Sequence, residues 1–207
     1  MVTFAAMHLS TPAECLDNWF SNDVAFHELY PAVISQLARR HWTPLRVARK
    51  AAAFLRTGKE DRVLDIGSGV GKFCLAAAHA EPTVQFTGVE LRPWLVEHAR
   101  IAQQKLGLKN VRFLAANIKD VCFKQFDHFY FYNSFYENLA ESEKIDQEMP
   151  CSLELFERYS YYLYKQLANR PAGTRLVTYH SLETEIPADF HLVQTEINGY
   201  LKYWIKV

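Results

Sequence analysis

The 207-residue chain has little of what marks the special classes of protein. Eight glycines and eight prolines are too few for a collagenous or low-complexity chain. Neither sign of charge is in excess. The 23 basic residues balance 23 acidic ones, so no whole-molecule field draws the protein to nucleic acid or anionic lipid, and any such attraction is local. Long apolar runs are missing too: no stretch of about 18 apolar residues exists to span a bilayer. The first basic residue is Arg39, so the opening segment has no charged start of a secretory signal, and a cytoplasmic protein without membrane attachment is expected. The four cysteines, Cys15, Cys74, Cys122 and Cys151, form no C-x-x-C pair. That spacing argues against a metal site or a disulfide framework, and all four are expected reduced and mostly in the core. What is present is apolar matter: 49% hydrophobic residues exclude intrinsic disorder and suffice for one globular domain with an appendage.

Periodicity divides the chain. Residues 1–42 carry aromatic clusters (Trp19, Phe20, Phe26, Tyr30) among acids and are read as a helical cap or lead-in. Thr43-Pro44 then supplies an N-cap followed by proline at the first helical position, and Ala48, Ala51, Ala52 and Leu55 repeat at helical spacing before Gly58. Beyond this helix, strands are expected at 62–66, 84–90, 111–116, 127–132 and 175–180, and helices at 71–80, 92–106 and 152–168. Leu91, Trp94, Leu95, His98 and Ala102 share one face of the 92–106 helix. Strands separated by helices imply a parallel sheet covered on both faces. The ending differs, because 190–197 and 200–207 are joined by Asn198-Gly199, the preferred tight hairpin turn, so these two strands should be antiparallel.

The stretch from Val63 to Lys72, V-L-D-I-G-S-G-V-G-K, is a strand running into a glycine-rich turn that opens a helix. Such a turn brings backbone close to a nucleotide-like ligand at the carboxyl end of the strand. A dinucleotide fingerprint needs its third glycine at position 72, but Lys72 stands there and the glycine comes one residue early at Gly71. The pyrophosphate reading therefore fails.

With Asp65 two residues before Gly67, the pattern D-x-G-x-G-x-G resembles the first motif of class I S-adenosyl-L-methionine-dependent methyltransferases, and Glu90 follows 23 residues after Gly67 at the end of the second strand. The resemblance covers residues 43–207 as one methyltransferase domain. It implies an α/β, Rossmann-like doubly wound seven-strand sheet, mostly parallel, with an antiparallel C-terminal hairpin. It also implies S-adenosyl-L-methionine as cofactor: Asp65 facing the ammonium, Gly67, Ser68, Gly69 and Gly71 forming the loop, Glu90 with neighbouring Leu91 at the ribose, and Ala116 and Asn117 at the adenine. Asn117 is equally readable as a turn residue, and Thr43, near the methionine end in related enzymes, is sufficiently explained as a helix cap.

On the acceptor side, Tyr132-Asn133-Ser134-Phe135-Tyr136 follows the fourth strand. An Asn carbonyl can hold the N–H of an attacking amine, and a ring beside it can enclose substrate. Asn133 and Tyr136 resemble the ends of the N-P-P-Y motif of planar-amine methyltransferases, without its prolines. Asn133 and Phe135 resemble the N-x-F element of seven-strand protein-lysine methyltransferases. Asn133, Phe135 and Tyr136 are thus the candidate catalytic residues. Seven acids against Lys144 between Glu137 and Glu157 favour a basic protein segment as partner, while eight bases against two acids between Arg39 and Arg62 keep nucleic acid as the second candidate. The two runs are also expected to pair partly with each other. A lysine, with a reference pKa of about 10.4, must lose a proton before reacting, and an apolar aromatic channel favours that. Tyr132, Tyr136, Asp23 or Glu28 are candidate relays. The reading is N-methylation of a protein lysine, against a nucleobase or small-molecule N-methyltransferase or a silent regulatory subunit of the same fold.

Overall fold

The computed structural model describes residues 12–58, 60–139, 145–146, 151–181 and 183–207. Four short helices come first: α1 (Pro12–Trp19), α2 (Asp23–His27), α3 (Ala32–Ser35) and α4 (Ala38–His41). Then follow α5 (Leu45–Leu55), β1 (Arg62–Ile66), α6 (Lys72–Ala80), β2 (Gln85–Glu90), α7 (Pro93–Leu106), β3 (Val111–Ala115) and β4 (His128–Phe131). The chain ends with α8 (Leu153–Ala168), β5 (Arg175–Tyr179), β6 (Phe190–Glu196) and β7 (Leu201–Lys206). The seven strands form one sheet in the order β3-β2-β1-β4-β5-β7-β6. The first five in this order run parallel, and β7 lies antiparallel to both β5 and β6. This is the expected seven-strand Rossmann-like sheet with its C-terminal antiparallel hairpin.

Strand alternation divides the core between two faces. Val63, Phe86, Tyr130 and Val177 point into a cluster with α5, α6, α7 and the N-terminal helices. Leu64, Val89, Phe129, Phe131 and Leu176 point into a second cluster with Leu163 and Leu167 of α8 and with Phe123 and Phe126. Burial on both faces explains why β1 and β4 read as continuous apolar runs interrupted only by Asp65 and the tyrosine. Phe73 through Ala78 of α6 are all buried, because the N-terminal helices cover its outer side. Phe20 stacks on His79 at 4.0 Å, and the Tyr30 hydroxyl donates to the Val70 carbonyl at 2.9 Å.

Three local expectations are corrected. The buried face of α7 is Leu95, Val96, Ala99, Ala102 and Leu106, whereas Leu91 lies before the helix and is exposed, and Trp94 and His98 flank that face half-buried. Asn198-Gly199 is the middle of a four-residue turn over 197–200, because Ile197 (φ 53°) already leaves the strand conformation. Cys74 is buried, but Cys122 is exposed and Cys151 half-buried, so the cysteines are not mostly core; the side chain of Cys15 lies outside the described residues.

Candidate active site

Strand order reverses beside β1, whose neighbours are β2 and β4, and a crevice opens at the carboxyl ends of these strands. The glycine turn lies there. Gly67 has φ 74°, a left-handed conformation, and a Cβ on it would sit 2.3 Å from the side chain of Ser134. The absent side chain thus makes room for the loop after β4 rather than for a ligand. Ser134 uses that space to donate its hydroxyl to the Ile66 carbonyl at 2.6 Å. Gly71 packs under Phe113 in the same way, and Ser68 turns its side chain towards Gly88. At Gly69 (φ 53°) nothing lies within 4 Å of the place a Cβ would take, and this glycine borders the cavity.

The amides of the turn are engaged within the fold. Gly67 and Ser68 both donate to the Val89 carbonyl at 2.9 Å, Gly69 donates to Glu90 Oε2 at 3.1 Å, and Gly71 donates to the Ser68 carbonyl at 2.8 Å. A phosphate would have to displace these bonds, which agrees with the rejection of a pyrophosphate ligand. Lys72 does not serve one either. Its ammonium turns into the N-terminal helices, 2.5 Å from Asp23 Oδ1 and 3.0 Å from His27 Nε2, and its side chain is buried.

A cavity of about 440 Å³ occupies the crevice, and Gly67, Gly69, Glu90, Leu91, Ala116 and Asn117 line it. Asn133, Phe135 and Tyr136 border the same space, so the structure brings both halves of the expected site together. Thr43, Asp65 and Ser68 instead line a small adjoining cavity beneath Trp42 and Tyr132. Glu90 is buried; Oε2 holds the Gly69 amide and Oε1 the Arg92 amide at 2.9 Å. Burial pushes its carboxyl above the usual range against the pull of the Arg92 amide and charge. Asp65 is buried too, with the Cys74 thiol 3.4 Å from Oδ2, and burial raises its pKa to about 8, opposed by that thiol and reinforced by Glu90.

These features fit S-adenosyl-L-methionine. The volume suits a ligand of that size. Two buried carboxylates, one bordering each cavity, suit a hydroxyl pair and an ammonium, and the Ser68 hydroxyl is buried with no hydrogen-bond partner.

Several expected roles shift. Thr43 does not cap α5. The N-cap is Pro44, the Leu45 amide is held by Asp23 Oδ1 at 3.0 Å, and the Thr43 hydroxyl bonds the Tyr130 hydroxyl at 2.9 Å. Proline sits one place earlier than the first helical position, so Thr43 is too far from the helix amides. Asn117 caps the short turn after β3 through the Lys119 amide at 3.0 Å, and its Nδ2 donates to the Tyr159 hydroxyl at 2.8 Å. Asn133 takes a left-handed φ of 40°, and its carbonyl accepts from the Tyr136 amide at 3.0 Å. Phe135 is buried between Phe131 and Tyr159, ring centroids 5.2 and 5.4 Å away, while Tyr136 is exposed. Asp23 is occupied by Lys72 and Leu45 and does not reach the cavity, which removes it as a relay.

Arg92 is the residue that sequence reasoning missed. Its side chain is 4% exposed and pairs with Glu137 through two bonds of 2.8 and 3.0 Å and with Asp146 at 2.7 Å. The available signal was an arginine two residues after the strand-end carboxylate with an acidic run downstream. Glu154 pairs with Arg158 at 2.6 Å. Glu137 and Asp146 thus share the single charge of Arg92, and Glu141, Glu143 and Glu148 lie outside the described residues. Three of the eight bases of the other run pair elsewhere: Lys50 with Glu196, Arg56 with Glu81 and Arg62 with Asp127, at 2.5 to 2.8 Å.

Residues 57–206 match the family described as "Methyltransferase domain". A tRNA (guanine-N(7)-)-methyltransferase of Synechococcus sp. (strain JA-3-3Ab) is 54% identical over 55 residues, which are 27% of this chain and 23% of that protein. Another from Nostoc sp. (strain PCC 7120) is 34% identical over 84 residues, 41% of this chain and 38% of that protein. The matched stretches thus span well under half of these relatives. Among solved structures, TrmN from Thermus thermophilus superposes with a TM-score of 0.58 over 84% of this chain and 52% of that one, at 23% identity. An RNA methyltransferase from Salinibacter ruber, in complex with S-adenosyl-L-homocysteine, gives 0.57 over 80% of this chain and 93% of that one, at 18% identity. With nearly three quarters of its length matched to the family and the sheet order and crevice in agreement, the chain belongs to the class I S-adenosyl-L-methionine-dependent methyltransferases.

Proposed function

We propose that this chain methylates a nitrogen of a nucleobase in RNA. The observation that carries this reading over a lysine side chain is the set of aromatic rings at the acceptor side of the cavity, and Arg92, through Glu137 and Asp146, offsets one of the negative charges that favoured a basic peptide. The acceptor side of the cavity is bordered by the rings of Tyr132, Phe135, Tyr136 and His180, a lining suited to a flat ligand. The names of the relatives, tRNA (guanine-N(7)-)-methyltransferase and, in Marinomonas posidonica, 23S rRNA (uracil(1939)-C(5))-methyltransferase, add support. In this reading residues 43–207 are the methyltransferase domain and 1–42 its cap.

When bound, S-adenosyl-L-methionine supplies a methyl group on a positively charged sulfur. Glu90 accepts the ribose hydroxyls with the lone pairs that Gly69 and Arg92 leave open, Asp65 faces the ammonium, and Ala116 and Asn117 border the adenine. The Asn133 side-chain carbonyl accepts an N–H elsewhere on the base and so aims the lone pair of an unprotonated ring nitrogen at the methyl group. Its left-handed backbone is the kind of local strain found where a side chain must be aimed. Tyr136 and Phe135 exclude water around the acceptor. A neutral aromatic nitrogen needs no prior deprotonation, so the chain's contribution is positioning and desolvation.

The test is incubation with methyl-labelled cofactor and total RNA or protein, followed by nucleoside and peptide mass spectrometry. Label in an N-methylated nucleoside is expected. Asn133→Ala should cut turnover at least about 100-fold while S-adenosylhomocysteine affinity, measured by calorimetry, stays within about threefold. Label on protein lysine with none on RNA overturns the proposal.

A further inference from the structure

We propose that Arg92 is a positioning residue that latches the acceptor segment to the cofactor carboxylate, so that cofactor binding tightens the segment carrying Asn133 to Asn138. The inference rests on Glu90 being the ribose carboxylate. Arg92 occupies the N-cap position of α7, and its backbone amide already holds Glu90 Oε1 at 2.9 Å. Its guanidinium is almost fully buried and faces three carboxylates from three parts of the chain. Glu137, in the single helical turn after Phe135, takes Nη1 at 3.0 Å and Nη2 at 2.8 Å; Asp146 takes Nε at 2.7 Å; Glu90 Oε1 lies 3.8 Å from Nη1. Ile145, next to Asp146, packs on the main core and borders the cavity.

One guanidinium faces three carboxylates: Nη1 donates to Glu137 at 3.0 Å, and Glu90 Oε1, 3.8 Å away, is within ion-pair but not hydrogen-bond distance of it. Hydroxyl donors arriving at Glu90 supply part of what that carboxylate draws from Arg92. The fork is then freer to hold Glu137 and Asp146 in the paired geometry, which is the stronger arrangement. Without those donors the charge of Glu90 attracts the same Nη1, against its bond to Glu137. Cofactor and acceptor loop, which share no strand, are in this way coupled through one side chain.

Hydrogen exchange with and without saturating S-adenosylhomocysteine tests the latch, read at the Tyr136, Asn138 and Leu139 amides, which all bond within the segment. In the unaltered protein the ligand should slow their exchange by about fivefold or more. In Glu137→Gln/Asp146→Asn, with saturation verified by calorimetry, the slowing should fall below about twofold, and in Arg92→Lys, which keeps the charge without the fork, it should be intermediate. The ligand-dependent difference, unlike absolute protection, does not move if the pairs only add stability. Absence of slowing in the unaltered protein, or equal slowing in the double variant, overturns the latch. Glu90→Gln separates the two readings: full affinity for S-adenosylhomocysteine overturns the ribose assignment and the coupling with it, whereas lost affinity alongside undiminished slowing in the double variant overturns the latch alone.

Discussion

Asp65 shows how one atom's surroundings decide what a motif residue can do. Buried on the α6 side of the sheet with the Cys74 thiol bonded to it, its carboxyl is pushed up to about 8 by burial and so favours its protonated form at neutral pH. A ligand ammonium placed against it favours the ionised form and expels the proton. Affinity for S-adenosylhomocysteine should therefore rise with pH between about 6 and 8, by up to tenfold per unit, and then level off. Calorimetry in buffers of different ionisation enthalpy should record proton release at pH 7 that is absent in Asp65→Asn, and Asp65→Ala should bind at least about tenfold more weakly. A flat pH profile removes Asp65 from the ammonium. Gly67 makes a different kind of prediction, because its role is steric. With φ 74° and Ser134 2.3 Å from any Cβ, Gly67→Ala should cost about 1–3 kcal/mol, read by chemical denaturation, and displace the loop after β4 that carries Asn133.

Among the elements, α2 is tied to α6 by the buried ammonium of Lys72. Lys72 sits between Asp23 and His27 and lies 5.4 and 5.7 Å from the ring centres of Phe26 and Trp42. Asp23 also holds the first amide of α5. Asp23→Ala should therefore destabilise by about 2–4 kcal/mol, since it leaves Lys72 buried without its anion and α5 without its cap. Burial opposes ionisation of Asp23, but the Lys72 bond and the Leu45 amide outweigh it and hold its pKa below the usual value. The stability it contributes is present above that usual range, near 4, and is lost as pH falls through the lower folded value. Protection of the amides of α2 and α3 should decline below about pH 4 before that of β1, and Asp23→Ala should abolish the difference. Concurrent loss throughout the molecule counts against this anchoring role.

At the scale of the whole molecule the net charge is zero, and three of the eight bases between Arg39 and Arg62 are already paired with Glu196, Glu81 and Asp127. The proposed RNA substrate should be held mainly by its base. Binding of a short single-stranded RNA should weaken with salt at a log–log slope shallower than about −2, as for two or three phosphate contacts. A slope steeper than about −5 would mean that a basic surface, not the ring-lined cavity, dominates recognition.

Hydrophobic periodicity, the glycine turn and the terminal turn residues are local properties, so the order of strands and helices, the antiparallel end of the sheet and the place of Glu90 at a strand end were readable from the residues themselves. The strand limits agreed within one or two residues for the same reason. Thr43, Asn117 and Phe135 were legible as members of the site's neighbourhood but not in their bonds, because Tyr130, Tyr159 and Phe131 reach them only after folding. Charge runs misled most. Counted along the chain, Glu137 to Glu157 forms an acidic face, yet Arg92 lies 45 residues before Glu137 and is brought to it by packing. Local pattern determines which element forms; whether a charge stays available to a substrate depends on what the tertiary structure brings within about 3 Å of it, and no spacing along the chain encodes that.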